Sequence, residues 1–150
     1  MTHLSLRGSS ERFFSICQET LGVRPPTAPN TVASAGDRSI LWLGPDEWLF
    51  IGPAPAADLK KALTGIHSAV VDVTSSRKAL VVSGERAEEI LGRAATLDFS
   101  LQAFAVGTCA QTNIARTQGI IWRRGAQEFV LYVRSSFAAY LAAWLEDAAG

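Results

Sequence analysis

Two rhythms of apolar and polar positions run through this chain, and the stretch from Cys109 to Leu145 shows both: it reads as three short strands followed by a helix. Gly119–Trp122 and Glu128–Val133 are apolar, β-branched and aromatic, the composition of strands. The polar run Arg123–Gln127, with one glycine, suits the loop of a hairpin between them. Ser135 and Ser136 are placed to cap a helix, and Phe137, Tyr140, Leu141, Trp144 and Leu145 then recur at i, i+3, i+4, i+7 and i+8. The other side of this helix is Ala138, Ala139, Ala142 and Ala143, with no charge before Glu146. A helix without a polar face is normally covered on more than one side. The alanine face is therefore expected to meet a second layer of the protein or another chain.

Upstream, Ser10 or Ser9 caps an expected helix from Glu11 to Leu21, with Gly22 just past its end. Val23–Asn30 holds three prolines, which fix φ and restrict the residue before them, so the segment reads as a stiff spacer that sets residues 1–30 apart from a body over 31–150. A short strand over 30–35 precedes a hairpin, Ser39–Gly44 and Glu47–Gly52, turning at Pro45-Asp46. Pro53 and Pro55 then open a helix through Leu59 and Leu63. Strands follow at Ala69–Val73 and Lys78–Val82, a helix at Glu85–Ala95 that buries Ala87, Ile90, Leu91 and Ala94, and an irregular stretch to Gly107 pinned by Leu97, Phe99 and Phe104. Strands 48–51, 79–82 and 129–133 are apolar at both parities, which predicts cover on both faces. The two hairpins resemble each other, each an apolar strand, a glycine-containing turn, an aromatic strand and then a helix. The expected fold is α+β: two related compact halves, about 36–75 and 76–148, with antiparallel or mixed sheets and helices packed on them.

Composition sharpens this picture in one respect. The net charge is zero, so no basic face recommends nucleic acid or an anionic membrane surface as a partner. Charged residues make up 19% against 48% hydrophobic, a thin polar surface that fits a subunit better than a free monomer. No run is long and apolar enough to span a bilayer, and the first residues lack a secretory pattern, so a cytoplasmic location is expected, with Cys17 and Cys109 as buried thiols.

Few residues offer chemistry. His3 and His67 have no evident partner, which leaves neither as a general base or metal ligand. Asp72, in the apolar run VVDV, must be hydrogen-bonded or paired; it either orients a ligand or clamps a turn through Thr74, Ser75 or Ser76. Arg77, Arg116, Arg123, Arg124 and Arg134 are candidates to converge on a carboxylate-bearing ligand or on a partner's acidic face. No phosphate loop, Ser-His-Asp set or acidic metal cluster appears, so no catalytic and no metal-binding residue is assigned.

Several short runs are distinctive together: Leu43–Leu49 (LGPDEWL), Asp72-Val-Thr74, Arg77, Ser83-Gly84 with Ala87, Leu97-Asp98, Phe104-x-x-Gly107-x-CysAlaGlnThr, Trp122-Arg123-Arg124 and Arg134-Ser135. Over roughly Gly36 to Ala148 the chain resembles the γ subunit family of heterotetrameric sarcosine oxidase. The resemblance implies a part in the oxidative demethylation of sarcosine to glycine with one-carbon transfer to tetrahydrofolate. It implies larger α and β flavoprotein subunits as partners. They would hold FAD, FMN, NAD and tetrahydrofolate, with no cofactor on this chain and a homo-oligomer possible for the chain in isolation. It further implies a fold similar to the folate-binding region of the glycine-cleavage T-protein superfamily. Folate-active members of that superfamily carry a Gly-apolar-apolar-Asp-Asp segment, and the counterpart here is Gly119-Ile-Ile-Trp-Arg-Arg124. Arginine cannot hold or move a proton where a carboxylate would.

Two functions follow. The first is a non-catalytic subunit that serves assembly, with Trp122, Arg123, Arg124 and the Ala138, Ala139, Ala142 and Ala143 face as its interface. The alternative is a stand-alone folate or pterin module using Asp72 and Arg77.

Overall fold

The first strand, β1 (Thr2–Gly8), lies inside a sheet, with β4 (Glu47–Gly52) antiparallel on one side and β5 (Ser68–Asp72) on the other. The structure, a computed structural model, describes residues 1–54 and 56–150. Pro55, paired with Pro53 in the sequence reading as the opening of a helix, lies outside the described residues.

The chain divides into two units, Met1–Thr74 and Ser75–Gly150. In the first, β1 leads to helix α1 (Glu11–Leu21), then β2 (Val32–Ala35), β3 (Arg38–Gly44), β4, helix α2 (Ala56–Ala62) and β5. In the second, β6 (Arg77–Ser83) leads to α3 (Ala87–Ala94), β7 (Cys109–Ile114), β8 (Thr117–Gly125), β9 (Glu128–Arg134) and α4 (Ser135–Ala149). The sheet orders, β2-β3-β4-β1-β5 and β7-β8-β9-β6, follow one plan with β5 added at an edge. Both hairpins even share a register shift, between Trp42 and Gly44 in β3 and between Arg123 and Gly125 in β8. The matching elements begin at β1, so residues 1–30, set apart in the sequence reading, supply the first strand and helix of the first unit.

Helix α1 shows why those residues cannot stand aside. Ser10 caps it by accepting the Phe13 N–H at 3.1 Å, and Gly22, at φ +77°, closes it with a bond to the Gln18 carbonyl. Phe13, Phe14, Cys17 and Leu21 are buried with Leu4, Leu6, Ile40, Trp48 and Phe50 in one apolar cluster. Trp48 stacks on Phe13 at 5.7 Å and meets Phe14 edge-on at 5.4 Å. Its indole N–H reaches the Pro26 carbonyl at 2.7 Å and ties down the proline segment.

In the second unit, Ile114, Ile121, Phe129, Leu131 and Val133 pack with Ile90 and Leu91 of α3 and Leu141 and Leu145 of α4. Phe99 and Phe104, from the stretch without regular structure, join them around Phe129 at 5.8 and 6.2 Å. Residues 48–52 and 129–133 are buried at every position. β6 departs from the doubly covered strand read from its sequence: Ala79 and Val81 are exposed, because it is the edge of its sheet and α4 covers only the face carrying Leu80 and Val82. Helix α4 departs as well. The line it packs on the core is Ala138, Leu141, Trp144, Leu145 and Ala148, while Phe137 and Tyr140 are 38% and 44% exposed. Neither serine caps it. The Ser135 hydroxyl donates to the Ser75 carbonyl at 2.8 Å, and its N–H to the Ser76 carbonyl at 3.0 Å.

Candidate functional site

The chemistry-bearing residues separate according to the sheet face on which they fall. Asp72 ends β5, where its Oδ1 accepts bonds from the Thr74 N–H at 2.9 Å and the Thr74 hydroxyl at 2.6 Å. Those bonds, the hydroxyl first, hold its carboxyl below the usual carboxylate range. The same Thr74 oxygen accepts the His3 backbone N–H at 2.9 Å, so the carboxylate closes the turn that ends the first unit. A stable anion of this kind is a poor carrier of protons. His3 itself is buried in β1, close enough for its charge to act on Asp72, and His67 is exposed. Among the described residues no group of His, Cys, Asp and Glu side chains comes together that could hold a metal ion, and no helix is long and apolar enough to cross a membrane.

The five arginines do not converge. Arg123, offered above as an interface residue, is fully buried. Period-two alternation puts it on the helix-covered face with Ile121, opposite Phe129. Its Nη1 donates to the Phe99 carbonyl at 2.6 Å and the Phe104 carbonyl at 3.0 Å. Its Nη2 donates to Glu88 Oε1 at 2.6 Å and the Ala126 carbonyl at 2.5 Å. The guanidinium carbon lies 4.7 Å from the centre of the Phe129 ring. Arg123 is thus a clamp on the irregular 99–108 stretch and does not reach the surface. Trp122, on the opposite face, is also buried, so it too is withdrawn from the surface set. Arg124 remains half-outside: it binds Glu128 at 2.7 Å, 5.9 Å from the Trp122 ring, and that bond holds the Glu128 carboxyl below its ordinary value.

Of the alanines, Ala139 and Ala143 are exposed while Ala138 and Ala142 are half-buried. Arg77 and Arg134 face each other across the β6–β9 ladder, with Lys78 next in the chain. That opposition was invisible in sequence, where 57 positions separate the two residues. Arg116 lies in the β7–β8 turn at the same end of the sheet.

The paired α+β units define a fold class already known in the glycine-cleavage enzymes. The aminomethyltransferase T of Bartonella henselae superposes with a TM-score of 0.69 over 96% of this chain and 42% of that one, at 16% identity, a likeness of fold alone. The sarcosine oxidase, gamma subunit family matches residues 8–150, and the chain belongs to that family. It is 34% identical over 139 residues to the sarcosine oxidase subunit gamma of Corynebacterium sp. (strain P-1), covering 90% of this chain and 68% of that protein. To the subunit gamma of an Arthrobacter species it is also 34% identical, over 85% of this chain and 65% of the relative. The chain thus spans about two thirds of the length of these curated relatives. A chain of the heterotetrameric sarcosine oxidase from Corynebacterium sp. U-96, solved with pyrrole 2-carboxylate, matches at a TM-score of 0.91 and 29% identity, covering 98% of this chain and 78% of that one.

Proposed function

We propose that this chain is a non-catalytic subunit of a heterotetrameric sarcosine oxidase, acting in assembly and stability, with the α and β flavoprotein subunits as its partners. Sarcosine oxidation, one-carbon transfer to tetrahydrofolate, and the FAD, FMN and NAD they require would then belong to those larger chains. The observation that carries this reading is the internal engagement of the groups that could do chemistry. Asp72 is bound to Thr74, and Arg123 is buried among carbonyls. What remains at the surface, Phe137, Tyr140, Val81 and an alanine-faced helix, suits contact with another protein better than turnover.

The test is expression of the chain alone and together with candidate α and β subunits. Co-purification in a yellow, flavin-containing complex is expected. A stable, monodisperse monomer that never joins such a complex refutes the reading. The alternative, a stand-alone folate or pterin module, predicts saturable binding of tetrahydrofolate by the isolated chain that is lost in Asp72→Ala. On the subunit reading the titration is flat.

A further inference from the structure

The two units repeat closely enough to align β6 with β1 residue by residue. Arg7 stands opposite Glu47 and Ser83 opposite Glu128, at the same place in the two hairpins. The residue that follows, Gly8 or Gly84, donates its N–H to the carbonyl just before that glutamate, Asp46 at 3.1 Å or Gln127 at 2.9 Å. The helices then begin at equivalent places, Glu11 and Ala87. Leu80 and Val82 therefore hold the positions of Leu4 and Leu6. The outer edge of β1 is taken by β5, and Leu4 and Leu6 are fully buried. Among the described residues no strand takes the outer edge of β6. There Leu80 and Val82 stay half-buried, while Ala79 and Val81 are exposed, Val81 to 54%. The second unit thus lacks a strand at an edge whose counterpart accepts one, which leaves an open row of backbone donors and acceptors.

That edge is complementary to itself. Antiparallel pairing centred on Val81 keeps the helix-covered faces of both copies on one side. It sets Val81 opposite Val81, Leu80 opposite Val82 and Ala79 opposite Ser83. It also brings together the two ends of the strand. Lys78 and Glu85 are both exposed and, among the described residues, in no ion pair. Along one extended chain they lie roughly 23 Å apart, beyond each other's reach. In the paired edge Lys78 stands opposite Gly84 of the copy, next to that copy's Glu85, and no two like charges are opposed. Centring on Val82 instead would set Lys78 against Arg86. The helix layer fits the same arrangement. Helix α4 contacts both β6 and β9, so it lies about half a strand spacing in from the edge. With strands ~4.8 Å apart, two such helices stand roughly 10 Å apart across the axis, the separation of packed helices. Ala139 and Ala143 on the exposed side of α4 are small enough for that approach.

We infer that the outer edge of β6 pairs with the same edge of a second copy of this chain, Val81 against Val81, joining two four-stranded sheets into one continuous sheet. The contact is isologous, so each Lys78–Glu85 pair forms twice. A strand of an unrelated polypeptide gains nothing from a cation at one end of β6 and an anion at the other. A two-fold copy uses both ends at once. This inference is independent of the subunit reading, since it concerns only what the chain does with its own copy.

The experiment is sedimentation equilibrium on the full chain over a wide range of concentration, where wild type is expected to form a dimer that dissociates on dilution. Val81→Lys sets two ammonium groups against each other on the axis and is expected to weaken the dimer about tenfold or more. Its melting temperature in dilute solution should not change, because Val81 is exposed. Glu85→Lys should weaken the dimer as well, and adding Lys78→Glu should restore most of the loss. Oxidation of Val81→Cys should cross-link two chains, since paired Cα atoms about 4.5–5.5 Å apart lie within disulfide reach. Val71→Cys, 53% exposed on β5, should not cross-link. The contact is overturned if wild type stays monomeric throughout, or if Val81→Lys dimerises as tightly as wild type. It is also overturned if the charge swap restores nothing, or if Val71→Cys cross-links as readily as Val81→Cys. A chain that dimerises this way but joins no flavin-containing complex sinks the subunit reading alone. One that joins the complex yet is monomeric by itself sinks this contact alone.

Discussion

Replacing Arg123 with methionine keeps most of the side-chain stem and removes the guanidinium from the centre of the second unit. Four acceptors lose their donor: the carbonyls of Phe99, Phe104 and Ala126, and the carboxylate of Glu88. They are not equal. Glu88 is 45% exposed and Ala126 is exposed, so water satisfies both after the change. Phe99 and Phe104 are buried, and their carbonyls are left without a partner at roughly 1–3 kcal/mol each. Loss of the contact with Phe129 adds about 1 kcal/mol. The expected cost of Arg123→Met is therefore ~4 kcal/mol, a large part of the roughly 5–15 kcal/mol by which a domain is stable.

Glu88→Gln tests the reasoning from the other side. It removes the ion pair but leaves three carbonyls on the guanidinium, so about 1 kcal/mol or less is expected. Urea titration followed by far-ultraviolet circular dichroism measures both. Hydrogen exchange should show protection over residues 99–108 failing first in Arg123→Met. A methionine variant that loses less than ~1 kcal/mol, or a Glu88→Gln variant that loses as much as Arg123→Met, would refute the carbonyl clamp. The first result would mean that neither the carbonyls nor the ion pair stabilises the unit, and the second would make the ion pair the source.

Trp48→Phe should destabilise the chain by about 2 kcal/mol, through the lost bond to the Pro26 carbonyl and the smaller ring against Phe13. Limited proteolysis should then cut within residues 23–30, and an unchanged digestion pattern would contradict the anchoring role. At Gly119 an added Cβ would stand 2.7 Å from Ile114 Cδ1 and 3.0 Å from the Tyr132 carbonyl oxygen. Gly119→Ala is therefore expected to cost about 1–3 kcal/mol by thermal denaturation, and a neutral substitution would show that β8 can move away from β9. Burial pushes the Cys17 thiol up from 9.0 to about 12. A folded-state value above the unfolded one means its contribution is intact below pH 9 and is lost as the pH climbs toward 12. Cys17→Ala should flatten the alkaline fall in stability, and alkylation of the native thiol at pH 8 should be slow; rapid labelling would place Cys17 nearer the surface than its packing indicates.

Helix α1 was legible in the sequence to its last residue, because a serine cap, an apolar stripe and a terminal glycine are local signals that need no partner. The two hairpins were legible for the same reason, and the resemblance of the hairpins pointed toward two related units. The role of β1 was not. THLSLRG alternates too weakly to announce a strand, and it becomes one by pairing with residues forty or more positions away on both sides. Asp72 was readable as a turn clamp, since Asp–Thr bonds two residues apart are local.

Arg123 and Arg134 were indistinguishable in the sequence, two arginines at the ends of apolar strands. The sheet separates them: strand parity turns the first into a packed core where only backbone carbonyls receive it, while register sets the second against Arg77 at an open edge. Local periodicity determined most of the secondary elements, though not β1 and not which line of α4 is buried. Which of those faces is covered, and which charge finds a partner, was decided by long-range pairing, because burial belongs to the assembled sheet and to no single segment of it.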